Sequence, residues 1–191
     1  MKKLILVRHV LTEDNELAKL SGHIDSKVSE EGKKQIEKIT EFLKYEKIDR
    51  IYTTTSSRTK ETVKNLANIN LIEIQQSEDL QEISFGDFEG KDFKEIQKNY
   101  PDEFNKMIEQ GYKYTYPNGE SLIDCYERVS KGIEFILNET PEDNTILICS
   151  HAGTIRNILT YLISNTFEYH WNFKIDNASV SIVEVEWICS Y

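Results

Sequence analysis

Short apolar runs that end abruptly in polar or charged residues most constrain how this chain can fold. The first run covers residues 4–7 and stops at Arg8-His9. A continuous run of this length is typical of a strand buried on both faces, as in a parallel sheet. The predicted strands are residues 4–7, 48–53, 71–74, 145–149 and 180–187. Glutamates in the last of them indicate an edge or a half-exposed face.

Helical patterns lie between these predicted strands. Ser29 precedes two glutamates, which is typical of a capped helix start, and apolar residues then recur at helical spacing. Pro101 divides the pattern of residues 93–108 into two short helices. Further helices are predicted around Val63 and Leu66, from about residue 120, and over residues 153–163. Strands that alternate with helices predict an α/β fold, a three-layer sandwich whose mostly parallel central sheet is flanked by helices. No repeat or linker divides the chain, so a single domain spanning residues 1–191 is predicted.

Charge and cysteine content narrow the function classes. The formal net charge is −10, from 23 Lys and Arg against 33 Asp and Glu. Nucleic acids and anionic membranes both need a basic protein face, so neither is expected as a partner. Three cysteines without Cys-x-x-Cys spacing disfavour a disulfide framework and a structural zinc site. No apolar run is long enough for a signal core or a bilayer span, so we expect a cytoplasmic protein.

Cationic and hydrogen-bonding residues follow three of the predicted strands. Arg8 and His9 follow the first, a polar run ending in Arg58 follows the second, and His151 follows the strand at 145–149. Because ligands of open α/β sheets bind at the carboxyl ends of the strands, these four side chains are expected to meet at one rim. Such a concentration of cations in an acidic chain predicts an anion site. Phosphate is the natural ligand, since guanidinium groups match its oxygens in bidentate fashion.

Each of these residues also has a structural interpretation. A single histidine is most often structural, and Arg58 on its own is typical of an exposed arginine at a helix start. A guanidinium directly after a buried strand, as Arg8 is, is costly to bury without an anion. The prediction therefore depends on the set of residues, and His170, which has no such context, is interpreted as structural.

The same residues lie in motifs that resemble the histidine phosphatase superfamily, which includes the cofactor-dependent phosphoglycerate mutases. The strand followed by Arg8-His9 is similar to the family's opening motif, and the segment around Glu82 is similar to its acid-bearing motif. The matching segments follow the family's order and are VRHVLTEDN (7–15), SGHID (21–25), IYTTTSSR (51–58), LQEISFGDFEG (80–90), GES (119–121) and SHAGTIR (150–156). Together they form a specific pattern, which implies a phosphoglycerate mutase-like fold.

The resemblance implies a metal-independent phosphatase that hydrolyses a small phosphorylated metabolite through a phosphohistidine intermediate. His9 would be the nucleophile, Glu82 the general acid and base, and Arg8, Arg58 and His151 the groups that bind the phosphoryl oxygens. Neutral imidazole is a competent nucleophile near pH 7, which fits this role independently of the family. The resemblance implies no cofactor and no metal. The residues expected to bind substrate beside them are Thr12, Asn15, Ser21, Gly22 and Ala152.

Two positions depart from the family pattern. Val10 stands where the family usually has glycine, directly after the predicted nucleophile. If the backbone there required a positive φ or close approach to the ligand, valine would be strained. Ser21 stands where many family phosphatases have glutamine, which shortens one potential phosphate donor.

Three other functions stay open at this stage. A metal-dependent hydrolase would use His9, His151, Asp25 and Glu82 as ligands, although neither His-x-His nor His-Glu-x-x-His spacing occurs. A phosphoglycerate mutase-type phosphoryl transfer would use the same pocket, but the Arg-His-Tyr-Gly run that mutases typically carry after the acid is missing. The segment after Glu82 instead resembles small phosphatases such as the ribazole-phosphate phosphatases. A catalytically inactive, phosphate-binding relative is the third, which the complete set of reactive residues disfavours.

Aromatic residues bear on the kind of leaving group. Tyr112, Tyr114 and Tyr116, with Phe85 and Phe88, would either line an entrance to the pocket or cover the core. In the first case they favour a substrate with an apolar or ring-bearing face.

Overall fold

A five-stranded sheet forms the centre of the fold, in a computed structural model that describes residues 1–186. Its strands are β1 (Lys2–Arg8), β2 (Arg50–Thr53), β3 (Ile74–Gln76), β4 (Thr145–Ser150) and β5 (Val180–Val185). They lie in the order β3-β2-β4-β1-β5, and β5 alone among these five runs antiparallel, at the edge next to β1. The predicted mostly parallel sheet is confirmed, and Trp187, at the end of the last predicted strand, lies outside the described residues.

Helices cover both faces of this sheet. They are α1 (Glu13–Glu16), α2 (Glu30–Leu43), α3 (Ser57–Asn70), α4 (Phe93–Asn99), α5 (Pro101–Gln110), α6 (Leu122–Glu139) and α7 (Ala152–Ser164). Successive side chains of a strand point to opposite faces, so β1 contributes side chains to the hydrophobic core on each face of the sheet. Leu4 and Leu6 pack with the buried residues of α6 and α7, whereas Ile5 and Val7 pack with those of α2 and α3. The predicted three-layer sandwich is therefore confirmed.

Capping residues set where the helices begin. The Ser29 hydroxyl accepts a hydrogen bond from the Gly32 N–H at 3.1 Å and starts α2. Ser121 and Asp124 form a capping box, so α6 begins at Leu122 rather than near residue 120. Pro101 is the first residue of α5 and separates it from α4, as predicted. Within residues 1–186, no helix has both the length and the apolarity needed to cross a membrane.

The third strand differs from the prediction. Residues 71–74 were expected to be extended, but Leu71 caps the end of α3 with φ 54° and ψ 41° and is 93% exposed. A left-handed residue ends the helix and redirects the chain, so strand pairing starts only at Ile74, opposite Ile51. The apolar residues 71–74 therefore lie mostly in the connection between α3 and β3, and only Ile74 belongs to the strand.

The register of the sheet brings the predicted site residues to one edge. In the parallel pairing of β1 with β4, Arg8 lies opposite Ser150. The ladder continues one step further, because the His9 N–H donates to the Ser150 carbonyl at 2.9 Å. His9 and His151 therefore leave neighbouring strands at equivalent positions.

Candidate active site

The two predicted imidazoles meet in the folded chain. The ring centroids of His9 and His151 are 5.2 Å apart, with an angle of 65° between the planes. Both residues are almost fully buried, at 4% and 1% exposure. Nη2 of Arg58 lies 3.4 Å from Nδ1 of His151. Side chains from three strand ends thus come together, as the sequence predicted.

His9 is held in one tautomer. Its Nδ1 lies 2.8 Å from the Val10 carbonyl oxygen, which can only accept, so Nδ1 carries the proton. Nε2 is left with a lone pair. Burial lowers the pKa of His9 to about 3, and the charge of Arg58 acts in the same direction. The ring is therefore neutral at physiological pH, and the lone pair of Nε2 is available to act as a nucleophile.

His151 has a partner at each ring nitrogen. Its Nδ1 faces the Arg58 guanidinium, which can only donate, so Nδ1 accepts. Nε2 must then carry the proton, and it donates to the Thr54 hydroxyl at 3.1 Å. Burial holds the pKa of His151 well below its usual value, and the charge of Arg58 adds to the effect. This geometry fits a neutral His151 ring.

Arg58 is a buried cation, not the exposed arginine that its position alone suggests. The side chain is 1% exposed. Nη1 donates to the Ile24 carbonyl at 2.7 Å, and Nη2 donates to the carbonyls of Gly22 at 2.7 Å and Ser21 at 3.1 Å. Its Nε is buried with no acceptor in the described part of the chain. Backbone carbonyls hold the group in place but bring no negative charge to it.

Arg8 shows the same lack of charge compensation. Nη1 donates to the Ile175 carbonyl at 2.7 Å, and Nε is buried with no acceptor among residues 1–186. Among residues 1–186, neither Arg8 nor Arg58 forms an ion pair with a carboxylate. The ion pairs present there are formed by the N-terminus, by lysines and by Arg128. Burial lowers the pKa of both Arg8 and Arg58, and the charge of Glu82 opposes this effect. Two poorly solvated guanidiniums with N–H groups to spare favour an anionic ligand.

Glu82 lies at the N-terminus of α7. Its Oε2 accepts from the Gly153 N–H at 3.0 Å, and its Oε1 accepts from the Ile83 N–H at 3.1 Å. A Cβ atom at Gly153 would lie 2.5 Å from Oε1, so only glycine lets the carboxyl approach this closely. The helix dipole favours a negative group there. Each oxygen keeps a second lone pair, which can carry a proton.

The loop at residues 21–24 is fixed from two sides. Arg58 holds its carbonyls, and the Glu89 carboxylate accepts from the N–H groups of Gly22 at 2.8 Å and His23 at 3.0 Å. The Ser21 hydroxyl donates to Asp14 at 2.7 Å. The donors of Ser21 and Gly22, expected to face the substrate, thus both point to carboxylates. In this arrangement the two residues serve the site by holding Arg58.

The remaining predicted binding residues lie around the first strand end. Thr12 is buried and caps α1, accepting from the Asn15 N–H at 3.4 Å. The Asn15 side-chain oxygen accepts from Asn177 at 2.9 Å, and Asn177 also donates to the His9 carbonyl at 3.2 Å. Ala152 is the first residue of α7. Their direct contact with substrate stays a prediction.

Val10 fits its position without strain. It is not among the residues with positive φ, and its side chain is fully buried in the core beside α2 and α3. Its N–H donates to the Thr62 hydroxyl at 3.1 Å. The absence of the family's usual glycine therefore does not disturb the backbone at His9.

The aromatic residues of the predicted entrance mainly pack against one another. Tyr114 and Phe88 are buried, at 3% and 1% exposure, and both contact the Tyr116 ring. Phe85 also packs on Tyr116, with centroids 5.1 Å apart. Tyr112 is 45% exposed and contacts Phe167 instead. The arrangement favours core covering over a shared substrate surface.

Asp25, one ligand of the metal-dependent alternative, is engaged by the start of a helix. Oδ1 of Asp25 accepts from the N–H and the hydroxyl of Ser57 at the start of α3. No group of three or more His, Cys, Asp or Glu side chains able to hold a metal occurs among residues 1–186.

Residues that support the site were not predicted as site residues. They are Thr54, Glu89, Glu120, Arg128 and Asn177, which contact the catalytic candidates or the backbone that carries them. Glu89 and Glu120 lie inside matched motifs, which is a signal in the sequence. For Arg128 the only signal in the sequence is its place on the helix that follows Glu120. The sequence contains no signal for Asn177.

Comparisons with known proteins identify the family of this chain. The family model described as Histidine phosphatase superfamily (branch 1) matches residues 4–187. Phosphoserine phosphatase 1 of Hydrogenobacter thermophilus is 32% identical over 97% of this chain and 88% of its own length. Bacillus stearothermophilus YhfR has a TM-score of 0.87 and 29% identity, covering 97% of this chain and 92% of its own. The alpha-ribazole phosphatase from Shigella flexneri shows the same fold, with a TM-score of 0.91 at 23% identity over 96% of this chain and 91% of its own. The chain belongs to the histidine phosphatase superfamily.

Proposed function

We propose that this protein hydrolyses a phosphomonoester through a phosphohistidine on His9, without a metal ion. The observation that carries the proposal is the pairing of a neutral imidazole with two guanidiniums that lack carboxylate partners in the described chain. Phosphoryl transfer needs in-line positioning and neutralisation of the equatorial oxygens more than covalent assistance. Arg8 and Arg58 supply that positive charge, and His9 supplies the attacking atom.

The first step transfers the phosphoryl group to the protein. The Nε2 lone pair of His9 attacks phosphorus, an N–P bond forms, and the P–O bond to the leaving group breaks. The bonding electrons go to the leaving oxygen, which takes a proton from the Glu82 carboxyl. Because the Nδ1–H group already donates to Val10, the positive charge that develops on the ring is stabilised by the backbone.

The second step returns His9 to its starting state. The Glu82 carboxylate accepts a proton from water as the water oxygen attacks phosphorus. The N–P bond breaks, its electrons return to Nε2, and inorganic phosphate leaves. Glu82 ends the cycle protonated, ready for the next substrate, so atoms and protons balance over the two steps.

The alternatives with the same pocket have less support. An inactive phosphate-binding protein has no use for a carboxyl held at a helix N-terminus beside the anion site. A mutase must exclude water from the phosphohistidine. Relatives named phosphoserine phosphatase, 32% and 31% identical over 97% of this chain, support hydrolysis and make a small phosphorylated amino acid the first substrate to test.

Trapping the intermediate tests the proposal. Protein quenched during turnover of phosphoserine or phenyl phosphate should carry one acid-labile, base-stable phosphate, which peptide mapping places on His9. Activity should survive dialysis against a strong chelator. A phosphate label on another residue, or activity that disappears with the chelator and returns with a divalent metal, would overturn it.

A further inference from the structure

Arg128 is a cation of α6 that the proposed steps do not use. Its side chain is 21% exposed, and its guanidinium forms a two-pronged pair with Glu120, with both N···O distances 2.8 Å. Such a fork-to-fork pair fixes the orientation of the guanidinium plane. Glu120 in turn accepts from the Ser84 N–H at 3.0 Å. The pair is therefore attached to the chain two residues after Glu82.

The same guanidinium binds the backbone that carries Glu82. Nη1 donates to the carbonyls of Asp79 at 2.9 Å and Gln81 at 3.1 Å, with a longer contact to Glu78 at 3.3 Å. Nη2 reaches the Glu82 carbonyl at 3.3 Å. One side chain thus holds four carbonyls within five residues. This segment, residues 78–82, contains a single 3-10 turn and no strand, so side chains must fix its path.

Residues of β4 and α7 also bind this segment. The Ser150 hydroxyl donates to the Leu80 carbonyl at 2.8 Å, and the Thr154 hydroxyl donates to the Gln81 carbonyl at 2.9 Å. Those residues belong to the strand and helix that carry His151. Arg128 therefore adds the hydrogen bonds to Glu78, Asp79 and Glu82 that β4 and α7 do not supply.

We propose that Arg128, oriented by Glu120, is a positioning residue that holds the Glu82 carboxyl at the leaving-group oxygen and acts in the reaction only through Glu82. The inference rests on the proposed function, in which Glu82 is the general acid. A displacement of about 1 Å in a catalytic group can cost about a hundredfold in rate. Lysine cannot replace the guanidinium, since it is a point charge without the planar fork.

Leaving-group dependence distinguishes this role from a general structural one. p-Nitrophenolate departs readily without a proton, whereas phenolate and alkoxide need the acid. For Arg128→Lys, kcat/KM should fall about a hundredfold with phenyl phosphate or phosphoserine and less than about threefold with p-nitrophenyl phosphate. Glu120→Gln, which leaves Arg128 in place, should show the same pattern with a smaller loss. Lys131→Met, an exposed cation on the same helix, is the matched control and should leave both values unchanged.

A double variant tests whether Arg128 acts through Glu82. Once Glu82→Gln has removed the acid, adding Arg128→Lys should cost less than about twofold more, because the two residues would form one functional unit. Equal losses across the three substrates, or losses that multiply in the double variant, would overturn the positioning role. If Arg128→Lys does not fold, the same criteria apply to Glu120→Gln alone and combined with Glu82→Gln. Failure of the proposed function is a separate result, seen as a wild-type protein that forms no phosphohistidine.

Discussion

The carboxyl ends of β1 and β4 carry a histidine at matched positions, yet the two imidazoles have different partners. His9 uses one nitrogen to donate to a backbone carbonyl and keeps Nε2 for chemistry. His151 is occupied at both nitrogens, by Thr54 and by Arg58. The comparison teaches that burial alone cannot mark a candidate nucleophile, because both rings are buried and neutral. What distinguishes them is the lone pair that the surrounding hydrogen bonds leave unused.

Exchanging each histidine for alanine should separate the two roles most strongly. We expect His9→Ala to reduce kcat/KM by about 10⁴-fold or more and to abolish covalent labelling, as loss of a nucleophile does. His151→Ala should reduce kcat/KM less, by about 10²-fold, because it removes a partner that orients Arg58, while the label still forms on His9. Labelling of His151 in the wild-type protein would reverse the assignment.

Anion binding should reveal what the two arginines contribute beside the histidines. Inorganic phosphate at about 100 times its Kd should raise the free energy of unfolding by about 2.7 kcal/mol. Arg8→Met and Arg58→Met should both lose this protection, measured by thermal unfolding with sodium chloride at equal ionic strength as the control. Without phosphate, Arg58→Met should be the less stable variant, because three carbonyls lose their donor. Protection that is unchanged in both variants would place the anion elsewhere.

Stability against pH tests whether both rings are neutral. The native pKa of His9 is about 3 and that of His151 is well below 6.5, so only the unfolded chain takes up these protons as pH falls from 6.5. The free energy of unfolding should then decrease with falling pH, by about 1.4 kcal/mol per pH unit for each histidine. Urea midpoints between pH 7 and pH 5 measure this loss. In His9→Asn, the slope of the free energy of unfolding against pH should be smaller by the contribution of one histidine, about 1.4 kcal/mol per pH unit. A slope equal to that of the wild type would show that the native His9 ring is already charged.

Removing the acceptor of the His151 N–H should have the smallest effect. Thr54→Val leaves that buried donor without its partner, and we expect kcat/KM to fall about tenfold, in line with an unsatisfied group that costs about 1–3 kcal/mol. Thr55→Val, an exposed neighbour, is the control and should be neutral. Equal activity of the two variants would mean that the hydroxyl does not orient the ring.

Much of the fold follows from local patterns in the sequence. Short apolar runs located four of the five strands, and Pro101 and Ser29 marked helix boundaries that the structure confirms. The exception is β3, whose start is shifted by the left-handed Leu71, because leucine rarely adopts this conformation and its presence in the sequence does not predict it.

The site was predictable only in part, for a physical reason. Residues at strand ends could be placed together because parallel strands end at one edge. The partners of Arg58 are carbonyls, which every residue carries, so the sequence cannot show which of them a guanidinium will bind. The same holds for the four carbonyls that Arg128 binds and for the backbone N–H groups that Glu89 binds. The meeting of these side chains was therefore predictable, whereas the hydrogen bonds that orient them were not.

Gly153 has a consequence for related chains. No side chain fits between the start of α7 and the Glu82 carboxyl, so even a single methyl group there must move the helix or the acid. A gene copy that drifts to alanine at this position should keep its fold and its affinity for phosphate while turnover declines. This one position would thus mark the divergence of a hydrolase into a phosphate-binding protein before any reactive group is lost.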